Sequence, residues 1–469
     1  MAKLYIFGIG GTGSRVLRSF TMMLAAGVKV SVDEIVPIVI DPDQSNADLT
    51  RSITLMNDYM QIQKKLTFSS GNSNEFFKTK IGRLLNNYTL VIRDTNDKEF
   101  RQFIDLSSMN DANQAMAQML FSEKNLYSSM DVGFKGNPNI GSVVLNQIVN
   151  SDGFNTFANS FEQGDKIFII SSIFGGTGAS GFPLLLKTLR TGKSFANHSN
   201  INQAEIGAIT ILPYFRLKNN EESEIDSSTF ISKTKSALAY YEKNISANNQ
   251  INALYYLGDD LTNEYENNEG GAEQKNDAHL IEFFAATSIV DFCNSDISTD
   301  SIIHKELGLK KAGRSITFAD FYDNLTDMLR APLTQLVLLA NCFEDKYIKM
   351  VSSGDVAANK TLQLGPDFYR STYVRNLQKY LRDYKEWLEE LKRNKRSLDL
   401  FNLSPGDTPF NVVTGVAPQK VASLKSNYSL FVSRLNSAAS NCKSNTEEDK
   451  LLEMYSLATK RLVKEKFNF

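Results

Sequence analysis

Residues 166–181 read Lys-Ile-Phe-Ile-Ile-Ser-Ser-Ile-Phe-Gly-Gly-Thr-Gly-Ala-Ser-Gly. The apolar run Lys166–Ser171 is the pattern of a buried parallel strand, and it ends in a glycine-rich turn that opens a helix over Gly181–Leu189. Glycines in such a turn let backbone N–H groups approach an anion, and the helix start adds a positive dipole. Thr177 supplies a hydroxyl donor between the glycines.

The N-terminus repeats the arrangement. Leu4–Ile9 is a short apolar run, Gly10-Gly11-Thr12-Gly13-Ser14 follows, and Arg15–Ala26 has helical spacing at Val16, Leu17, Phe20, Met23 and Leu24. Ile35–Ile40 is a second buried strand, closed by Asp41-Pro42-Asp43. A strand-turn-helix-strand unit implies a right-handed crossover and a parallel sheet. Two glycine turns of this kind can hold the phosphates of one nucleotide from both sides. A third turn, Gly133-Phe134-Lys135-Gly136-Asn137-Pro138-Asn139-Ile140-Gly141, precedes an apolar helix at Val143–Val149.

Further strands are expected at Thr89–Ile92, Ile206–Leu212 and Ala253–Leu257, and helices at Ser228–Asn244 and Asp277–Phe292, with 262–275 as a polar loop. The alternation makes residues 1–295 an α/β parallel-sheet domain. Residues 296–365 form an intermediate region, and 366–469 a mainly helical C-terminal region. Asn324–Tyr347 reads as a helix holding Pro332. Asp367–Leu400 reads as one long amphipathic helix, whose stripe Tyr369, Tyr373, Tyr380 and Tyr384 suits packing. Ser404–Gln419 is a linker with a strand-like run at Phe410–Val413, and Val421–Phe469 is helical again.

Composition removes several functions. The chain has 469 residues, 42% of them hydrophobic, with Lys plus Arg at 51 against Asp plus Glu at 53. A net charge of -2 gives no global pull toward nucleic acid or anionic membrane. Cys293, Cys342 and Cys442 form no CxxC pair, and so sparse a set suits a reducing cytoplasm, the expected location. His198, His279 and His304 are scattered without an HExxH, which speaks against a metallohydrolase. No secretory signal and no apolar run long enough to span a membrane is expected.

These residues resemble the tubulin/FtsZ superfamily, in its divergent bacterial tubulin-like branch. Gly8–Ser14 is similar to that family's first phosphate loop, and Gly175–Gly181 to its GGTGSG signature, with Ala179 as the departure. Gly136–Gly141 is similar to the loop near the γ-phosphate, and Ile206–Phe215 to the strand ending Lys-Pro-Phe. The resemblance covers 1–295 and implies GTP or GDP with Mg²⁺ as cofactors. It implies Gly10, Gly11, Thr12, Gly13 and Ser14 on the α/β-phosphates, and Gly175, Gly176, Thr177, Gly178, Ala179 and Ser180 around the diphosphate. Gly136, Asn137 and Pro138 fall near the γ-phosphate, Asp43 near Mg²⁺ with Asp41 as second candidate, and Asp259 and Asn276 on the base.

In the family an acidic loop of the next subunit completes hydrolysis, and Asp320-Phe321-Tyr322-Asp323 resembles it, with Asp320 and Asp323 as the catalytic acids. Phe318 stands where the family has Asn, and the loop is distant from the central helix. The resemblance thus implies a Mg²⁺-dependent GTPase that self-associates head to tail into filaments. Two alternatives stay open: a non-polymerising nucleotide switch or scaffold whose helical C-terminal region binds a partner protein, and a Rossmann-type adenylating or NAD-binding enzyme, which accounts for the first glycine turn but not the second. Lys392-Arg393-Asn394-Lys395-Arg396 reads as a solvated helix end.

Overall fold

The computed structural model describes residues 2–469 except 69–70, 94, 96, 131–132, 135, 219–228, 247–249, 262, 267–270, 298–301, 307–308, 312, 345–356 and 421–427. The strands in chain order are β1 (Lys3–Ile9), β2 (Glu34–Ile40), β3 (Lys80–Ile81), β4 (Lys166–Ser172), β5 (Glu205–Ile211), β6 (Phe215–Leu217), β7 (Ala253–Leu257), β8 (Asn263–Tyr265), β9 (Ile303–Glu306), β10 (Ser315–Ile316) and β11 (Ser397–Leu398), the last two pairing with each other. Seven of them form one sheet in the order β3-β2-β1-β4-β5-β7-β9, and every pairing is parallel. β6 and β8 pair separately. The class expected from the sequence, a parallel-sheet α/β domain with a mainly helical C-terminal region, is the class observed.

β1 and β4 are neighbours, with Gly8 opposite Ile170. β2 lies on the outer side of β1 and β5 on the outer side of β4, so the strand order reverses between them. Ligands of open α/β sheets bind at the carboxyl ends of the strands flanking such a reversal. Both glycine turns leave those two ends. Helix Gly10–Ala25 starts on the first glycine turn itself, and helix Gly176–Thr191 inside the second, both earlier than the apolar spacing suggested.

Several expectations are corrected. Thr89–Ile92 is not a strand: it makes one isolated bridge, Val39 with Thr89, and Leu90 and Ile92 are buried while Val91 is exposed. Phe410–Val413 likewise makes only the bridge Phe401–Val413. The 367–400 stretch is two helices, Pro366–Tyr369 and Thr372–Arg393, because Ser371 caps the second by accepting from Val374 N. Helix Asp323–Cys342 ends before 347, of which 345–347 lie outside the described residues. The last segment is two helices, Tyr428–Ala439 and Glu447–Phe467.

Helices Gly10–Ala25, Ala47–Gln63 and Leu280–Asn294 pack together, and the 372–393 helix lies on them. Tyr380, Tyr384 and Trp387 are fully buried there. The Tyr380 hydroxyl donates to Thr21 O at 3.2 Å and the Trp387 indole to Ser19 Oγ at 3.2 Å. The C-terminal region therefore shares one apolar core with the sheet domain.

The sheet has two ends. Helix 280–294 starts at the carboxyl end, and its last residue Asn294 donates to Lys29 O at 2.9 Å and accepts from Ser31 Oγ at 2.8 Å, just ahead of β2. β9 then runs parallel to β7 and returns the chain to the carboxyl end.

Candidate functional site

The two glycine turns meet. A cavity of about 170 Å³ is lined by Gly10, Gly11 and Thr12 of the first, Gly175, Gly176, Thr177 and Gly178 of the second, and Gly133 and Gly136 of the third. Gly10 has φ +71°, and a Cβ there would stand 3.5 Å from Thr177 Cβ. Close backbone approach with a positive φ is a requirement that glycine alone meets without strain. Gly13 and Ser14 are not on the cavity. Gly13 packs on the backbone of Gly8, which seats the helix on β1, and buried Ser14 carries its hydroxyl 3.5 Å from Gly10 O.

Asn137, Pro138, Ala179 and Ser180 line an adjoining cleft of about 830 Å³, which shares Phe134 and Gly136 with the cavity. Asn137 caps helix Pro138–Leu145, and Ser180 Oγ donates to Gly176 O at 2.7 Å. The expected Val143–Val149 helix is this one, starting five residues earlier at Pro138.

Asp41 and Asp43 line the cavity beyond the end of β2. Asp43 Oδ1 accepts from Ser45 N at 3.1 Å and Ser45 Oγ at 2.7 Å, and Oδ2 from Gly271 N at 2.7 Å. Burial pushes the Asp41 carboxyl up to about 7, against the hydrogen bond it accepts from Asp43 N. An unfolded aspartate titrates near 3.9. Folding therefore takes up a proton between these values, and the stability present below pH ~4 is lost as pH rises through ~7. In the ligand-free protein, Asp41→Asn is expected to gain on wild type by on the order of 2–4 kcal/mol at pH 8, with little difference at pH 4. Urea midpoints at the two pH values check this, and an equal difference at both would refute it.

Asn276 also lines the cavity, donating from N and Nδ2 to Asp48 at 3.2 and 3.3 Å. Asp259 does not. It pairs with Arg396 on a separate cleft formed with Leu212, Gly258 and Arg314. The base contact expected there is corrected: β5 and β7 carry Asp259 away from the β1–β4 reversal.

Asp320 and Asp323 also differ from the expectation. Asp320 accepts from Thr317 N at 2.8 Å and Thr317 Oγ1 at 3.0 Å, capping a short turn. Asp323 is exposed and pairs with Lys310 at 2.6 Å, whose hydrogen bond holds the carboxyl below its usual value. Phe321 between them packs on Phe283 and Phe284 in the first turn of helix 280–294. Both acids thus lie at the same end of the sheet as the cavity, because β9 brings the chain back.

Sequence reasoning missed Arg15, Asn46, Asp48, Tyr265 and Gln274, all on the cavity. Arg15 forms a buried ion pair with Glu282, which also accepts from the Tyr214 hydroxyl at 2.9 Å. The only available signal was a cation at a helix position otherwise read as core. Among the described lining residues Arg15 is the single cation, against Asp41, Asp43, Asp48 and Glu266. Among the described residues there is no cluster of His, Cys, Asp and Glu able to hold a metal, and no helix is long and apolar enough to cross a membrane.

No family model matches the chain, and no curated protein matches it. Solved structures do. CetZ1 from Haloferax volcanii, a GDP-bound monomer, is 15% identical over 64% of this chain and 62% of that one, with a TM-score of 0.31. CetZ2 from Haloferax volcanii, a GTPγS-bound protofilament, is 14% identical over 55% and 49%, with a TM-score of 0.28. FtsZ from M. jannaschii is 14% identical over 55% and 46%, with a TM-score of 0.25. The chain spans about half the length of the CetZ2 and FtsZ chains it matches.

Proposed function

We propose that the chain is a nucleotide-binding protein of tubulin/FtsZ type that takes GTP or GDP together with Mg²⁺. The observation that supports it is the convergence of Gly10–Thr12 and Gly175–Gly178 on one cavity at the strand-order reversal. Two helix starts, at Gly10 and Gly176, border one cavity, which suits a chain of phosphates. The carboxylates around that cavity oppose a polyanion unless a divalent cation enters with it. With Asp43 engaged by Ser45 and Gly271, Asp41 is the carboxylate to hold such a cation through water. Bound there, Mg²⁺ would neutralise charge on the phosphates. The chain's own contribution is to orient them and exclude solvent.

Head-to-tail assembly brings the cavity of one subunit against the opposite end of the sheet of the next, and such contacts extend into filaments when the rotation does not close. An acid acting in trans must sit at that opposite end. Asp320 and Asp323 do not. Helix 280–294 delivers Asn294 and the exposed Asp296 there. Asp296 therefore replaces them as the acid to position water on a neighbour's triphosphate.

Calorimetry and thermal shift with GTP, GDP, ATP and NAD, with and without EDTA, test the binding. Guanine nucleotides should stabilise the protein and EDTA should weaken them, whereas a preference for NAD would move the reading to a Rossmann enzyme. Asp296→Asn should lower concentration-dependent GTP turnover at least about tenfold with GTP affinity unchanged, while Asp320→Asn and Asp323→Asn retain it. The placement of Asp320 and Asp323 favours one other reading, a non-polymerising switch. Flat light scattering with GTP, and turnover insensitive to Asp296→Asn, would select it.

A further inference from the structure

We propose that the last turn of the 372–393 helix is a positioning element of the nucleotide cavity, coupling its opening to the helical C-terminal region. This rests on the nucleotide reading above. The cavity measures about 170 Å³, whereas pockets for small molecules run from roughly 300 Å³ upward. A whole nucleotide therefore needs either the adjoining cleft, which shares Phe134 and Gly136, or a movement of another part of the lining. The first two glycine turns are each continuous with a strand of the sheet and a helix packed on it, so they are poor candidates to move.

Of the rest of the lining, the strap 271–278 is the part bonded to the C-terminal helix, and from it Gln274 and Asn276 line the cavity. Its first half is held by side chains of the 41–48 segment. Gly271 N donates to Asp43 Oδ2 at 2.7 Å, Asn46 Nδ2 donates to Gln274 Oε1, and Asp48 N donates to Gln274 O at 3.3 Å. Its second half is held by Asp48, which accepts from Asn276 N and Nδ2, and by the C-terminal helix. Ala278 N donates to Glu390 Oε2 at 2.9 Å, Asn394 Nδ2 donates to Ala278 O at 2.6 Å, and Arg393 grips both oxygens of Asp277 at 3.1 Å. Arg51, itself paired with Glu390, donates to Asn276 O at 3.1 Å.

The two attachments differ in kind. Those to the 41–48 segment surround the phosphate site and are the ones a bound nucleotide and its cation must replace. Those to residues 390–394 lie outside the cavity and survive as the hinge on which the strap turns. Displacing the strap therefore loads the C-terminal helix, and by linkage whatever moves that helix changes nucleotide affinity by the same factor.

The test uses the full chain, Mg²⁺ and GDP. Arg393→Asp removes an exposed ion pair and should leave the thermal midpoint close to wild type while weakening GDP binding at least about fivefold. Asp277→Arg added to Arg393→Asp reinstates the pair with reversed polarity and should restore the affinity. Hydrogen exchange on wild type provides a reading independent of any variant: saturating GDP should change the protection of amides in both 276–280 and 388–394. GDP affinity within twofold of wild type in Arg393→Asp, or protection changes confined to 276–280, overturns the coupling. Absence of GDP and GTP binding by wild type overturns the nucleotide reading itself, a result distinct from either.

Discussion

Glu390→Ala is expected to destabilise the protein by about 3–5 kcal/mol, the range for breaking a buried ion pair from one side. Glu390 sits on the C-terminal helix with its side chain 2% exposed, and it accepts from Arg18 Nη1 at 2.6 Å, from Arg18 Nη2 at 3.3 Å, from Arg51 and from Ala278 N. Burial alone would raise its carboxyl, yet Arg18, Arg51 and the amide together hold it below the usual value. Removing it strands the almost wholly buried Arg18 guanidinium, leaves Arg51 with Asp48 and Asn276 O alone, and frees the start of helix 280–294. Glu390→Gln keeps an acceptor for Arg18 and for Ala278 N and should lose clearly less. Denaturant midpoints read both, and a loss under about 1 kcal/mol for Glu390→Ala would mean that the arginines find other partners.

Gly176→Val should weaken guanine-nucleotide binding at least about a hundredfold while the chain stays folded. A Cβ at Gly176 would stand 3.0 Å from Asn137 N and 3.1 Å from Gly136 N, both backbone atoms that cannot rotate away. The second and third turns would have to part, withdrawing amides from the phosphates. Each charge-assisted hydrogen bond lost is worth roughly 1.5–3 kcal/mol, so one or two suffice for the effect. Calorimetry with GDP measures it. Affinity within tenfold of wild type would show that the turns do not act together on one ligand.

How far the sequence could be read follows from the physics of each element. β1, β2, β4, β5 and β7 are central strands covered on both faces, so they are continuous apolar runs and visible as such. β3 is two residues long and β9 reads Ile-His-Lys-Glu, so edge strands like these leave no pattern. The long helix was visible from its Tyr stripe, but the cap at Ser371 was not, since a serine there looks like any other polar residue. The glycine turns were legible because the backbone approach they make is possible only for glycine. The strap 271–278 was not, because its hold on the cavity comes from contacts more than two hundred residues apart, Gly271 with Asp43 among them. Lys392–Arg396 read as a solvated end, yet Arg393 and Arg396 pair with Asp277 and Asp259, partners that only the folded chain brings near. Asp320 and Asp323 were placed from a local likeness alone. Which end of the sheet they occupy depends on β9, which carried no signal.

That last strand decides the polarity of the molecule. One pass through a parallel sheet exchanges one pole for the other. Without β9 the final third of the chain would depart from the pole that Asn294 reaches; with it, departure is from the pole where the glycine turns lie, and the 372–393 helix climbs back to finish there. The last turn of that helix is therefore fixed at the pole of the glycine turns, while its length lies buried along the helices of the sheet domain.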